Sequence, residues 1–435
     1  MDPHLLFDDS LPIHESRAPG RLDVMGGISD YAGGTCLEWP LQCATTARAQ
    51  LARDGRILAY SATAQAEGWA PSIEVAASFW MALDAAGARK YLHGRNASWG
   101  AYVLGALLIL RDENRLPPDF GLRLWLDSDV PSGAGVSSSA SVEVATLQVL
   151  AAAFELDLDG PSIAFLGQRV ENQIANAPCG IMDQMTVAVG REAHLLRLKC
   201  QPAIIEGFEA LPEGVEVCGL DSGAKHSVGG GGYGLARAGA MMGRRILRDT
   251  LPEAMRGPDG ALYLANIGSD IWRALRHQIP EKMPGRDFLA AFGSHHDEAT
   301  SIEPNLEYSV RLPTEHPIYE AERAQRFSAL LRAARHNPAA RHELLQAAGE
   351  LMVQSHFSYS HRCGLGSPGT DLLVQLAREA GAQAGIYGAK ITGGGQGGTV
   401  AFLIDRARNV DVDAVLESIR NDYQAQSGNA SRLLR

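Results

Sequence analysis

Residues 129–143 read "DVPSGAGVSSSASVE": two glycines, then four hydroxyls in five residues, then an apolar run. The flanks limit what this can become. Upstream, "GLRLWLDSDV" (121–130) alternates apolar and polar residues as a strand does and stops at Pro131. Downstream, "SVEVATLQVLAAAFEL" has the Ala, Leu and Val spacing of a buried helix beginning near Ser139. The order is strand, glycine and serine loop, helix. Glycines let a backbone approach a ligand closely, and a helix start offers unpaired N–H groups at a positive dipole end, so the arrangement suits a phosphate. The serine hydroxyls add donors or a metal ligand. A Gly-Lys-Ser/Thr ending and a third glycine of the dinucleotide fingerprint are both missing, so neither common nucleotide loop is present. The residues alone fit a tight strand-to-helix turn capped by serine equally well.

With 435 residues, 46% hydrophobic and 20% charged, the chain has globular composition and length for two or three domains. Its net charge of -11 and lack of a long Lys/Arg run argue against nucleic acid or an anionic membrane as partner, and point to a small molecule. The start, "MDPHLLFDDSLPIHESR", has neither a basic beginning nor a continuous apolar segment, and no span is long and apolar enough for a membrane helix. A soluble, cytoplasmic protein is expected. Six cysteines at 36, 43, 179, 200, 218 and 363 form no Cys-x-x-Cys pattern, so reduced thiols are expected rather than zinc or a disulfide framework.

Strands and loops are expected from about 15 to 65, and helices over 98–115, 162–176 and 234–251. "AHLLRL" and "VEVCGLDS" read as strands, and helices return from "RFSALLRAARH" to "LLVQLAREAG". The chain closes on "IYGAKITGGGQGGTVAFLI", a glycine cluster feeding a strand. Residues 252–330 mix Pro, Gly and charge and are expected at the surface. A composition shift near 205 suggests two lobes, residues 1–205 and 206–435.

Two further segments bear on the loop. In "APGRLDVMGGISDYAGG" (18–34), Arg21, Asp23 and Asp30 sit among glycines; alone this fits a turn with solvated charges. In "ENQIANAPCGIMDQM" (171–185), Asp183 lies among apolar and small residues, with Glu171 twelve residues earlier. A carboxylate in such company is costly unless paired, so Asp183 is either functional or salt-bridged.

Together "PGRLDVMGGISDYAGG", "PSGAGVSSSASVEVA" (131–145) and "KITGGGQGGTVAFL" (390–403) resemble, in order, the three motifs of the GHMP kinases. "CGIMDQM" and "DSGAKHSVGGGGYGLAR" (221–237) resemble the galactokinase branch, so the likeness covers all but roughly 252–320. The resemblance implies an α+β, two-lobed GHMP kinase fold, with a ribosomal protein S5-like N-terminal lobe and a ferredoxin-like C-terminal lobe. It also implies a transferase using ATP and Mg2+ on a monosaccharide. Gly133, Ala134, Gly135, Val136, Ser137, Ser138 and Ser139 would wrap the phosphates, with Ser139 and Glu171 on magnesium. Asp183 would take the proton of the sugar hydroxyl, and Arg21 would keep that carboxylate ionised and steady the transferred phosphoryl. Asp30, Gly180 and Tyr233 would contact the sugar, and Gly393–Gly398 would support the nucleotide loop.

Galactokinases carry Gly-Glu-His-Thr-Asp-Tyr in the first motif, where Glu and His reach the hydroxymethyl end of the sugar. This chain has Gly26-Gly27-Ile28-Ser29-Asp30-Tyr31 and lacks both polar groups. L-Arabinose shares galactose's ring hydroxyls but has no hydroxymethyl, so Gly27 and Ile28 point to L-arabinose phosphorylated on its anomeric hydroxyl. A galactose O6 buried beside Ile28 without a partner costs about 1–3 kcal/mol. Replacing Gly27 by Glu and Ile28 by His is expected to restore a preference for galactose. Galactose, another C6-altered sugar such as glucuronate, and a non-catalytic sensor of ATP and sugar remain the other readings.

Overall fold

The computed structural model describes residues 6–177, 179–224, 231–248, 251, 261–407 and 409–435. They form two compact units. The first comprises Met1–Arg21, Leu41–Ser132 and Ser137–Val189; the second comprises Leu22–Pro40, Gly133–Val136 and Gly190–Arg435. The last change of unit along the chain falls at 189/190. Two short N-terminal segments also belong with the C-terminal half, because their backbones pair or pack there: Thr35–Glu38 runs antiparallel to Leu196–Lys199, and Thr399 Oγ1 donates to the Ala134 carbonyl at 2.8 Å.

In the first unit, Gly121–Ser128 lies antiparallel to Thr45–Ala52 and parallel to Ile57–Ser61, which pairs in turn with Ser72–Ala76. The expected alternation holds, since Leu122, Leu124 and Leu126 point into the core. Helix Gly100–Asp112 is buried at every position from Gly100 to Leu110 except Tyr102, and helix Ser138–Ala153 is buried over most of its length. Apolar residues all round, rather than on one stripe, mark both as interior helices. They pack with Trp80, Val170 and the strand leucines in one cluster. The segment expected as a single helix over 162–176 is helix Gly160–Arg169 followed by a π-turn, Val170–Ala175.

In the second unit, four antiparallel strands run in the order Ile386–Ile391, Thr399–Asp405, Val215–Asp221, Arg432–Leu434. Helices Pro368–Ala380 and Val412–Ser427 cover this sheet through Leu373, Leu376, Leu416 and Tyr423. The first of these helices starts on a reciprocal Ser367–Thr370 cap with Pro368 at its first position. Helix Gly232–Leu247 packs on the long helix Arg311–His336, which is paired with Arg341–His361.

The 252–330 stretch is not a surface ornament. Among its described residues Trp272, Ile279, Phe288 and Tyr308 are fully or almost fully buried. Polar side chains tie it down as well. Asp297 takes two bonds from Arg237, and Trp272 Nε1 donates to Glu315. The expectation failed because mixed composition hides apolar residues spaced too irregularly to show a period. Within the 221–237 motif, residues 225–230 lie outside the described residues, as do 249–250 of the expected 234–251 helix. All six cysteines are free thiols. No helix of the described residues is long and apolar enough to cross a membrane.

The polar centre of the second unit is an ion pair with no solvent exposure: Lys390 Nζ lies 2.7 Å from Asp23 Oδ2. Removing one partner strands the other charge in the interior, so Lys390→Met is expected to cost about 3–5 kcal/mol. Asp23→Asn combined with Lys390→Met should recover part of that loss. Urea unfolding of the three proteins checks this, and equal stability of Lys390→Met and the parent would contradict it.

Candidate active site

In the first unit, strand His14–Met25 delivers Arg21 and the first turn of helix Met182–Val189 delivers Asp183. Arg21 donates from Nε (3.0 Å) and Nη2 (2.7 Å) to the same oxygen, Asp183 Oδ1. The guanidinium is 3% exposed and the carboxylate 25% exposed, so this pair keeps one side open. Asp183 thus stays accessible while Arg21 is buried behind it.

The same unit brings Ser139 and Glu171 together, 32 positions apart in sequence. Ser139 Oγ donates to Glu171 Oε1 at 2.9 Å. Glu171 sits on the π-turn, a local widening of the helix that often accompanies functional positions. Burial, and next the charge of Asp183, push its carboxyl up to about 7. Two residues that the sequence reading passed over complete the group. Gln184 Nε2 donates to both Glu171 Oε2 (2.5 Å) and Glu143 Oε2 (3.0 Å). Burial also raises the Glu143 carboxyl well above the usual range. A signal for Glu143 was present: it is the one charged residue in the apolar helix Ser138–Ala153, the same oddity that singled out Asp183.

The phosphate-loop candidates take the backbone that their residue types allow. Gly133, Gly135 and Ser137 all have positive φ (70°, 72° and 61°), and helix Ser138–Ala153 begins directly after them. Ser137 makes no side-chain cap, and its hydroxyl is buried without a partner. That removes the reading of a serine-capped turn. In the second unit Gly133–Val136 lie against the late glycine segment: a Cβ on Gly393 would fall 2.5 Å from Gly135 O, and one on Gly398 2.6 Å from Ala134 O. The expected support of Gly133–Val136 by Gly393–Gly398 is thus a backbone contact that only glycine permits.

Also in the second unit, Asp30 opens a short 3-10 turn and is 6% exposed. Tyr31 meets Tyr233 edge-on at 6.2 Å, and Arg237 lies over the Tyr31 ring. Ile28 has φ 57° and is 3% exposed within an apolar cluster that includes Tyr31, Tyr359 and Leu365. Gly27 contributes backbone only, and a Cβ there would lie 1.9 Å from both Asp23 Oδ2 and Tyr359 Oη. The exchange of Gly27 and Ile28 for Glu and His therefore does not fit this framework by itself. In the first unit, Gly180 is half-buried three residues before Asp183.

The donor set suits a hard cation, which prefers oxygen: a hydroxyl and a buried carboxylate. Among the described residues no three His, Cys, Asp or Glu side chains converge to hold a metal.

Residues 101–191 match the GHMP kinases N terminal domain, and residues 337–425 match the GHMP kinases C terminal family. Over 97% of its length the chain is 37% identical to an L-arabinokinase of Arabidopsis thaliana, of which it spans 45%. It is 30% identical to a galactokinase of Streptomyces coelicolor over 96% of its length, covering 90% of that protein. The galactokinase of Lactococcus lactis, solved in complex with galactose, has the same fold, with a TM-score of 0.78 at 21% identity over 99% of this chain and 94% of that one. The chain belongs to the GHMP kinase family. Within it, the chain is a sugar kinase, and membership implies ATP as phosphoryl donor.

The folded value of Glu171 lies above its ordinary 4.5, so the folded metal-free protein binds this proton more tightly than the unfolded chain does. The stabilisation is complete below pH 4.5 and is lost as pH rises to about 7, on the order of 3 kcal/mol in all. Glu171→Gln should flatten the fall in unfolding free energy across that window in chelator-treated protein. An unchanged pH slope in the variant would refute the assignment.

Proposed function

We propose that this protein transfers the γ-phosphoryl of ATP to the anomeric hydroxyl of L-arabinose, giving L-arabinose 1-phosphate. The observation that carries the reading is the Arg21–Asp183 pair. A partly exposed carboxylate hydrogen-bonded to a buried guanidinium is equipped to take a hydroxyl proton as the oxygen attacks phosphorus. Arg21 then faces the charge that spreads over the transferred group. Gly133–Val136 and the N–H groups from Ser137 to Ser139 bind the phosphates. Ser139 and Glu171 hold Mg2+, which when bound neutralises phosphate charge. Asp30 grips ring hydroxyls, with Tyr233 and Gly180 as further sugar contacts.

L-Arabinose is favoured over galactose by the absence of polar side chains at Gly27 and Ile28 and by the 37% identity to the Arabidopsis L-arabinokinase. Galactose is the second reading, supported by the full-length likeness to the Streptomyces galactokinase. A sensor without turnover has no need of a poised Asp183 and Arg21.

The test is a panel of free sugars assayed for ADP release, with the phosphate position in the product read by NMR. L-Arabinose should give the highest kcat/KM, with galactose about 10- to 100-fold lower. Asp183→Asn should leave the circular dichroism spectrum unchanged and lower turnover by about 10²- to 10⁴-fold. Unaltered turnover would remove Asp183 from the reaction.

A further inference from the structure

Side chains from two helices far along the chain hold the backbone of the Gly26–Ile28 turn. On helix Arg311–His336, His316 and Glu320 lie four residues apart and so share a face. Glu320 Oε1 accepts from the Gly26 N–H at 3.0 Å, and is held by Ser355 Oγ at 2.6 Å while Arg323 pairs with its other oxygen. His316 Nε2 lies 3.0 Å from the Gly27 carbonyl and Nδ1 2.8 Å from Ser358 Oγ. A carbonyl can only accept, so Nε2 carries the proton and Nδ1 accepts from the serine. Burial lowers the His316 value to about 4, so the ring stays neutral and this arrangement persists at neutral pH.

On helix Arg341–His361, Ser355 and Tyr359 are likewise one turn apart. Tyr359 Oη donates to Asp23 Oδ2 at 2.9 Å, the oxygen that also faces Lys390. Asp23 is fixed again by its own N–H, which donates to Thr392 Oγ1 at 2.7 Å. These two oxygens, Asp23 Oδ2 and Tyr359 Oη, fill the space where a side chain on residue 27 would begin. Gly27 is therefore a glycine because the volume beside it is occupied by a buried charge pair and a tyrosine hydroxyl.

We propose that Tyr359, with Asp23 and Lys390 behind it, is the specificity-determining residue of the sugar site. It acts as a positioning residue: by excluding any side chain from position 27 it sets the turn that leads into Asp30, and so selects a sugar that asks for no polar partner there. The choice of substrate is thus written more than 300 positions from the turn that carries it. This rests on the reading of Asp30 as a sugar contact.

The test compares the parent protein, Gly27→Ala, Tyr359→Phe and the double variant. Each is measured for thermal midpoint, KM for ATP, and KM and kcat for L-arabinose and D-galactose. Gly27→Ala should raise the sugar KM at least 10-fold, with the ATP KM within twofold of the parent. Tyr359→Phe removes one of the two oxygens, while Lys390 still holds Asp23 Oδ2. It should lower the selectivity ratio between the two sugars several-fold. In the double variant the alanine methyl meets one oxygen instead of two, so its sugar KM should lie below that of Gly27→Ala alone. Independent, multiplying effects would overturn the proposal, as would sugar and ATP KM values rising together with a fallen midpoint. Should the parent accept galactose in place of L-arabinose, the substrate reading fails. The coupling between 27 and 359 is then judged in the same way with the sugar that is used.

Discussion

A lysine and an aspartate without solvent exposure fix the frame of the second unit. Taking both charges out of water is costly, and the cost is offset here on one aspartate oxygen, which meets both Lys390 Nζ and Tyr359 Oη. Asp23 lies near the end of the strand that feeds Gly26–Asp30, and Lys390 near the end of the strand that feeds Gly393–Gly398. One ion pair therefore sets where two glycine segments leave their strands. The second of these segments carries Gly133–Val136 on its backbone. Glycine follows the pair at close range because side chains have no room there.

The first unit solves an opposite problem. It gathers carboxylates, Glu143, Glu171 and Asp183, rather than neutralising a single charge. Arg21 pairs with Asp183, and the amide of Gln184 bridges the other two without adding charge. Burial first, and the neighbouring carboxylates second, raise Glu171 and Glu143. On the proposed reading, a site short of positive charge would draw in a cation together with the phosphates that the cation accompanies.

The sequence was most legible where chemistry and period coincide. Alternation marked the 121–128 strand, and unbroken apolar runs marked the two interior helices; both readings rest on local periods that survive folding. That Asp183 needs a partner was also readable, since a lone carboxylate among apolar residues is costly; that the partner is Arg21 was implied by the family resemblance. Other features were hidden. The π-turn at Val170–Ala175 differs from a helix by one hydrogen-bond step, which no apolar pattern reports. The strand Ile204–Ala210 has a half-exposed face and passed unread. Asp297, which clamps Arg237, lies in the stretch with the least regular composition.

By itself the sequence determined the family and the class of reaction, through the likeness of its glycine, hydroxyl and carboxylate motifs to those of known kinases, because such motifs are local properties of the chain. The tertiary structure decided which of these residues meet and what each is allowed to be. Ser139 joins Glu171, Gln184 links two buried acids, and Tyr359 reaches the turn at Gly27 across more than 300 positions. Those are matters of excluded volume and desolvation, which exist only once distant segments share one interior.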